Sequence, residues 1–394
     1  MNASRPGSAS EVFATFLRLG LTSFGGPIAH IGYFRREVVA KRAWVRDAQF
    51  GELVGLCQFL PGPASSQLGF SLGLLRAGWP GALAAFAGFT LPSALLLFAF
   101  AMLLPNVPSE AAATLAHGLK LVAVAVVAHG LFGMARQLCP DAARALLATA
   151  GALAILAIGG AWVQLAVVAA GALAGIALCR NVARAVAEPP RLPHGRATGI
   201  ALVATYVALL AALPLVAAEL DGPFALASGF YRAGALVFGG GHVVLPLLQQ
   251  TVVEPGWISR DDFLAGYGAA QAIPGPMFTL AAYLGARIDG LAGSALATAS
   301  IFLPGLLLVA GVLPLWQTIA RHPRAGSAVA GVNAAVVGLL AAALYDPVWT
   351  GAVASPIDAA IAIAGFFLLA RLRAPPLAVV GWCVAASFAV SALR

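Results

Sequence analysis

Two short runs in this chain could hold an anion without holding a metal. The first is Gln58-Phe-Leu-Pro61-Gly62-Pro63, with hydroxyls just beyond it at Ser65 and Ser66; the second is Gln271-Ala-Ile-Pro274-Gly275-Pro276, followed by Thr279. Proline has no N–H to donate and suits the first turn of a helix, so each run should end one helix and start another. Gly62 and Gly275 let the backbone turn and let a ligand come close. A helix starting after such a break offers unpaired N–H groups and the positive end of its dipole, which together make an anion site. The Gln58 and Gln271 amides add donors that carry no charge.

A second kind of break lies upstream of each run. Phe24-Gly25-Gly26-Pro27 has its counterpart in Phe238-Gly239-Gly240, although Gly241 stands where the proline would be. Arg18 and Arg232 each precede the phenylalanine by six residues. A charge at membrane depth costs roughly 2.5–3.5 kcal/mol on insertion scales. One arginine per copy therefore suits neutralisation of a bound dianion; the alternative is that each snorkels to the interface or pairs with a carboxylate. His30 and His242 follow the glycines and could bind anion, carry a coupled proton, or satisfy a local hydrogen bond. Lys120, inside an apolar run, is either a further cation in one copy or a helix-end lysine reaching for solvent. His117 and His129 in that run carry no assignment, and Asp358 reads as interfacial.

These residues belong to a duplicated sequence. Gly62 and Gly275 are 213 positions apart, and the same offset pairs Trp44 with Trp257 and Phe50 with Phe263. One position more pairs Gly20 with Gly234 and Phe24 with Phe238. A repeated half with a helix-breaking run inside apolar sequence is the organisation of secondary transporters. A plain interhelical turn is the competing reading.

The composition sets the solvent. Of 394 residues, 61% are hydrophobic and 10% charged, with a mean hydropathy of +0.91. A soluble domain carries about a quarter charged residues, so an all-α polytopic membrane protein is expected, in contact with the lipid bilayer. The 44 glycines suit close helix approach in lipid. The polar first dozen residues do not read as a cleaved signal peptide. The net charge of +8 sits in loops and reads as topology, not nucleic-acid binding. Four separated cysteines show no metal-ligand or redox spacing, and neither metal nor cofactor is expected. Zinc-protease, P-loop and Gly-x-Ser-x-Gly signatures are missing, so the chain does not read as an enzyme.

Apolar segments run six, then one, then six, giving an N-terminal repeat over 1–179, a basic linker with a linking transmembrane helix over 180–221, and a C-terminal repeat over 222–394. An unpaired helix between two copies inverts the second. Charge agrees: the first loop holds Arg35, Arg36, Lys41, Arg42 and Arg46, its counterpart only Arg260 among Glu254, Asp261 and Asp262. Cytoplasmic loops are rich in Lys and Arg. Keeping that five-base loop inside requires the first two segments of each half to be re-entrant hairpins, broken at the glycines or at Pro-Gly-Pro.

In combination, the Phe-Gly-Gly-Pro27 block, the Gln58–Pro63 run, Phe238-Gly-Gly-Gly-His242 with Pro246, and the Gln271–Pro276 run resemble the chromate ion transporter family in its long, two-domain form. The resemblance covers essentially the whole chain. It implies a multi-pass protein of the bacterial inner (plasma) membrane that exports chromate and confers resistance, with sulfate as the competing or exchanged oxyanion. It also implies that the N-terminal block is the better-matched half. The residues agree on class, since helix ends, amides, hydroxyls and arginines suit a tetrahedral dianion and not a metal cation. They do not separate chromate from sulfate, and an oxyanion importer, a membrane-embedded enzyme and a passive channel stay open as readings. A homodimer is compatible with the sequence.

Overall fold

The computed structural model describes residues 7–24, 26–106, 109–159, 161–179, 192–220, 222–238, 244–316, 318 and 323–393, and among these there are helices and turns but no strand. Two helical pairs open the chain. Ser8 starts α1 (Ala9–Thr22) by accepting the Glu11 N–H. The helix stops at Ser23, and α2 (Gly26–Phe34) then runs on through a wider π turn to Lys41. Next, α3 (Asp47–Phe59) stops at Leu60 and α4 (Ala64–Leu103) begins after Pro63. At about 1.5 Å per residue, α1 and α3 are each roughly 20 Å long, short of a hydrocarbon core of about 30 Å.

Both pairs turn back to where they began. Glu11, at the start of α1, pairs with Arg42 beyond α2 at 3.6 Å and with Arg76 of α4 at 3.0 Å. Gln49 at the start of α3 shares a cavity with Leu75. The loop between the pairs is held by its own charges: Arg35 donates to Asp47 at 2.7 and 3.0 Å and keeps that carboxyl below its usual range. Burial pushes the Glu37 carboxyl up, but hydrogen bonds from Arg42 and Lys41 outweigh it, so its pKa is lowered too.

Helix α4 is itself a hairpin. Its backbone leaves the helical region at Ala77 and Gly78, and a Cβ on Gly73 would collide with Gly81 O and stand 2.8 Å from Ala85 Cβ. Residues 73 and 85 would lie about 18 Å apart along a straight helix, so the two arms must touch backbone to backbone.

The second half repeats each step. It contains α9 (Pro223–Leu236), α10 (Val244–Val252), α11 (Arg260–Ala272) and, after a 3₁₀ turn at Met277–Thr279, α12 (Leu280–Val312). Helix α12 folds over at Asp289–Gly290, with Gly285 against Gly293 and a Cβ there 2.8 Å from Ala297 Cβ. Its hairpins also return to a common end, where Asp262 of α11 meets Arg287 of α12 at 2.9 Å. Helix α8 (Arg196–Glu219) joins the halves. Its first residue lies beside Gln49 and Leu75, whereas Gly222, just past its last turn, lies beside Trp257 and Asp289. The two hairpin mouths thus sit at opposite ends of α8.

The remaining helices cross-brace this core: α5 (Ser109–Leu138), α6 (Ala142–Ile158) and α7 (Ala161–Leu178) from the first half, and α13 (Pro323–Ala343), α14 (Pro356–Ala370) and α15 (Pro376–Ala392) from the second. A Cβ on Gly118 of α5 would stand 2.8 Å from Val384 Cα of α15, and one on Gly171 of α7 would stand 2.9 Å from Gly331 O of α13. Each half's last helix therefore packs on the other half. Five helical stretches among the described residues are long and apolar enough to cross a membrane: Ala64–Leu103, Glu110–Leu138, Arg196–Glu219, Met277–Leu315 and Gly326–Ala352.

Gly234 of α9 abuts Ile301 O of α12, so a methyl there must part the two helices, whereas Gly51 of α3 has open space. Gly234→Ala is expected to cost about 1–3 kcal/mol by overpacking and to lower the thermal midpoint in detergent, with Gly51→Ala unchanged. Equal midpoints would show that α9 and α12 are not in backbone contact.

Candidate functional site

The breaks of one half are closed by the other. Gly62 donates its N–H to Val237 O at 2.7 Å, and Gly275 donates to Ser23 O at 3.0 Å. Both glycines have positive φ, 121° and 111°, which side chains rarely adopt. Each also backs onto a helix of the opposite half: a Cβ on Gly62 would stand 3.0 Å from Gly305 Cα, and one on Gly275 would stand 2.7 Å from Ser93 Oγ. Because Val237 follows α9 as Ser23 follows α1, the two bonds are equivalents of each other. Backbone groups left bare inside apolar protein are costly; here the duplication satisfies them.

The side chains break the equivalence. Gln67 of α4 is fully buried and donates through Nε2 to Pro61 O at 2.9 Å and to Gly305 O at 3.1 Å. Pro63, Ser65 and Ser66 are buried with it. The start of α4 is therefore covered by α12 and does not open to solvent. The second run restarts as a 3₁₀ turn, in which Thr279 Oγ1 donates back to Pro276 O at 2.6 Å. Among the described residues no side chain comparable to Gln67 seals it.

A 370 Å³ cavity opens there instead. Gly26 at the start of α2, His129 of α5, Gln271 and Gly275 of the second run, Met277 and Arg373 line it. Gln271 is buried, donates towards Met277 Sδ at 3.6 Å and also bonds the Tyr267 hydroxyl. The cavity thus joins the glycine break of the first half to the Pro-Gly-Pro of the second, and its volume lies within the usual ligand-pocket range.

Other expected residues lie elsewhere. Gln58 is exposed on the last turn of α3 and offers nothing to a buried site. Arg18 and Arg232 are exposed on α1 and α9, and neither lines this cavity. Phe24, Pro61 and Pro274 are half-buried, and Pro276 is buried. His30 is buried beside the first break, 3.2 Å from Ser23 O and with its ring 5.2 Å from that of Phe89. Lys120 pairs with Asp261 at 3.0 Å, at the mouth of α11 and about 15 Å of helix from Gln271. Gly25, Gly239, Gly240 and His242 lie outside the described residues, and Pro27 is described only as backbone within α2. Sequence reasoning missed Gln67, Ser93 and Arg373 and gave His129 no role. A buried glutamine within a serine- and glycine-rich helix start was the available signal for Gln67.

Helical pairs broken inside an apolar bundle, with a cavity at their meeting point, are the architecture of a polytopic membrane protein. The chromate transporter family matches this chain twice, over residues 10–176 and 224–388, and the chain belongs to that family. It is 29% identical over 355 residues to a chromate transport protein of Pseudomonas aeruginosa, covering 86% of this chain and 81% of that one. A probable chromate transport protein of Synechococcus elongatus is 29% identical over 353 residues, 86% and 84% of the two chains. A chromate transport protein of Cupriavidus metallidurans is 29% identical over 338 residues, 84% and 80%. No solved structure matches.

Gln67→Ala would remove the one donor that ties Pro61 O to Gly305 O across the break, at about 1–3 kcal/mol for such a loss. The variant should unfold at a distinctly lower temperature in detergent; an unchanged midpoint would mean that Gln67 does not hold the first break shut.

Proposed function

We propose that the protein moves chromate out of the bacterial cytoplasm across the plasma membrane, conferring resistance, by alternating access through the cleft between its two halves. The cavity joining Gly26 to Gln271 and Gly275 carries this reading. A helix start, a glutamine amide and the imidazole N–H of His129 offer hydrogen-bond donors to a tetrahedral oxyanion, and no lining residue among those described is acidic. The choice of chromate rests on the family and on what the relatives are called. Sulfate has similar charge and shape and is the natural competitor or exchange partner.

The two halves act as an inverted repeat, with the N-terminal repeat over 1–179 and the C-terminal repeat over 222–394 linked by α8. Hairpin mouths at opposite ends of α8 support this, as does the basic loop at the first mouth, which would face the cytoplasm. A membrane potential negative inside favours anion exit by about 2.3 kcal/mol per charge per 100 mV. A dianion could therefore leave without a coupled ion.

Inside-out membrane vesicles supplied with labelled chromate and sulfate should accumulate chromate with saturation, and sulfate should compete. Accumulation of sulfate alone would refute the chromate assignment, and non-saturable flux would indicate a channel. A single cysteine placed between Arg35 and Arg42 should label only from the cytoplasmic side; labelling from outside would overturn the proposed orientation.

A further inference from the structure

Neither arginine expected from the sequence lines the cavity between the halves, yet a dianion there needs a counter-charge. Arg373, in the turn between α14 and α15, is exposed like Arg18 and Arg232 but differs from them in lining the cavity, where it is the only side chain among the described lining residues that is charged at every physiological pH. Among the described residues it takes part in no ion pair. Two other cavities differ in this respect, since each has a carboxylate as well as an arginine in its lining, Glu52 and Arg196 in one and Asp289 and Arg287 in the other.

The backbone at this position is also informative. Arg373 has φ of +53°, a left-handed conformation, in a turn closed by Ala374 N–H to Leu368 O at 3.0 Å. Glycine is the residue that ends helices this way without strain, whereas a side chain there is strained. A strained conformation kept at a side chain on the rim of a polar cavity points to use of that side chain.

We infer that Arg373 is the charge partner of the transported oxyanion and makes the site selective for tetrahedral dianions over monoanions. This rests on the cavity being the transport site. A guanidinium presents a planar fork of N–H donors that matches two oxygens of a tetrahedral dianion, with Gln271 and the start of α2 on the other walls. The C-terminal helical pair thereby contributes charge to a site whose other walls come from the broken hairpins. The Arg18 and Arg232 positions are then not required for charge balance.

The left-handed backbone provides a clean test, because Arg373→Gly removes the side chain and relieves strain together. In inside-out vesicles carrying the full chain, Arg373→Gly should raise the KM for chromate at least tenfold while the thermal midpoint stays at or above that of wild type. Arg373→Lys should fall between them, retaining charge but losing the fork. Inhibition of chromate uptake by sulfate should weaken more than inhibition by nitrate. An Arg373→Gly protein with unchanged KM and unchanged sulfate inhibition overturns the inference while wild-type transport leaves the functional reading intact. Wild-type vesicles that carry sulfate alone overturn the chromate assignment, and Arg373 is then judged on sulfate KM by the same criteria. Wild-type vesicles that carry neither overturn both.

Discussion

Peptide groups cannot be left bare inside an apolar bundle, and a broken helix leaves several. Everything distinctive in this fold follows from how that constraint is met. The Pro-Gly-Pro of each half donates its glycine N–H to the carbonyl exposed at the glycine break of the other, Gly62 to Val237 and Gly275 to Ser23. The cross-packing of α15 on α5 and of α7 on α13 applies the same logic to the outer helices, where close glycine contacts replace the hydrophobic effect that lipid cannot supply. The halves are mutually completing, and the polar region where they meet follows directly from that.

Duplication fixes the backbone, and later divergence fixes what the backbone can bind. The turns at Ala77–Gly78 and Asp289–Gly290 have nearly the same angles, and the glycine pairs 73/81 and 285/293 make the same close approach. At equivalent places, however, Gln67 faces Thr279 and Ser93 faces Gly305. Gln67 is long enough to bridge Pro61 O and Gly305 O, so it fills its break and makes it rigid. Thr279 reaches only Pro276 O, and a cavity lined by Gln271, Gly275 and Met277 lies beside that break. One symmetric frame thus yields one sealed crossing and one open one.

Much of the frame was legible in the sequence. Apolar runs of membrane length, helix breaks at Phe-Gly-Gly and Pro-Gly-Pro, and the register of the copies are local properties of composition and backbone chemistry. The return of α1–α2 and α3–α4 to a common end, where Glu11 meets Arg42 and Arg76, was expected from the basic run Arg35 to Arg46, read as a loop kept on one side of a membrane. The site was less legible, because it forms between halves. Symmetry of sequence suggested that Gln58 and Gln271 act alike, yet Gln58 is exposed and Gln271 buried, since only one of the two runs meets an open cavity. Arg373 lies about 100 positions from the motif it joins, in a turn without a matching motif, and nothing short of tertiary packing brings it there. Lys120 read as an isolated charge because Asp261, its partner, is 141 positions away.

The distribution of bond strengths says where such a structure can move. The contacts at the centre are buried glycine backbones and short N–H to carbonyl bonds, which tolerate little displacement because cores are close-packed. The fastenings at the mouths are ion pairs with solvent access. Glu11 holds Arg42 and Arg76 with about a third of its side chain exposed, and both arginines also lie over the Trp44 ring at 5.6 and 5.4 Å. At the other mouth Asp261, 73% exposed, holds Lys120, and Arg260 is paired with Asp346. Arg76 and Lys120 are themselves mostly buried, but surface pairs are worth roughly 0–1 kcal/mol each and each of these keeps solvent access on at least one side, so opening either mouth costs less than separating the centre. The two sets also tie different parts together. At the first mouth Glu11 joins hairpin to hairpin, whereas at the second Asp261 and Arg260 join α11 to α5 and to the segment after α13. A cycle that opens the mouths in turn would therefore loosen the second half's hairpins from the cross-bracing helices, and at the first mouth would part the hairpins from each other. Two copies of one fold would then open by unlike movements, because their charged ends have diverged while their glycine centres have not.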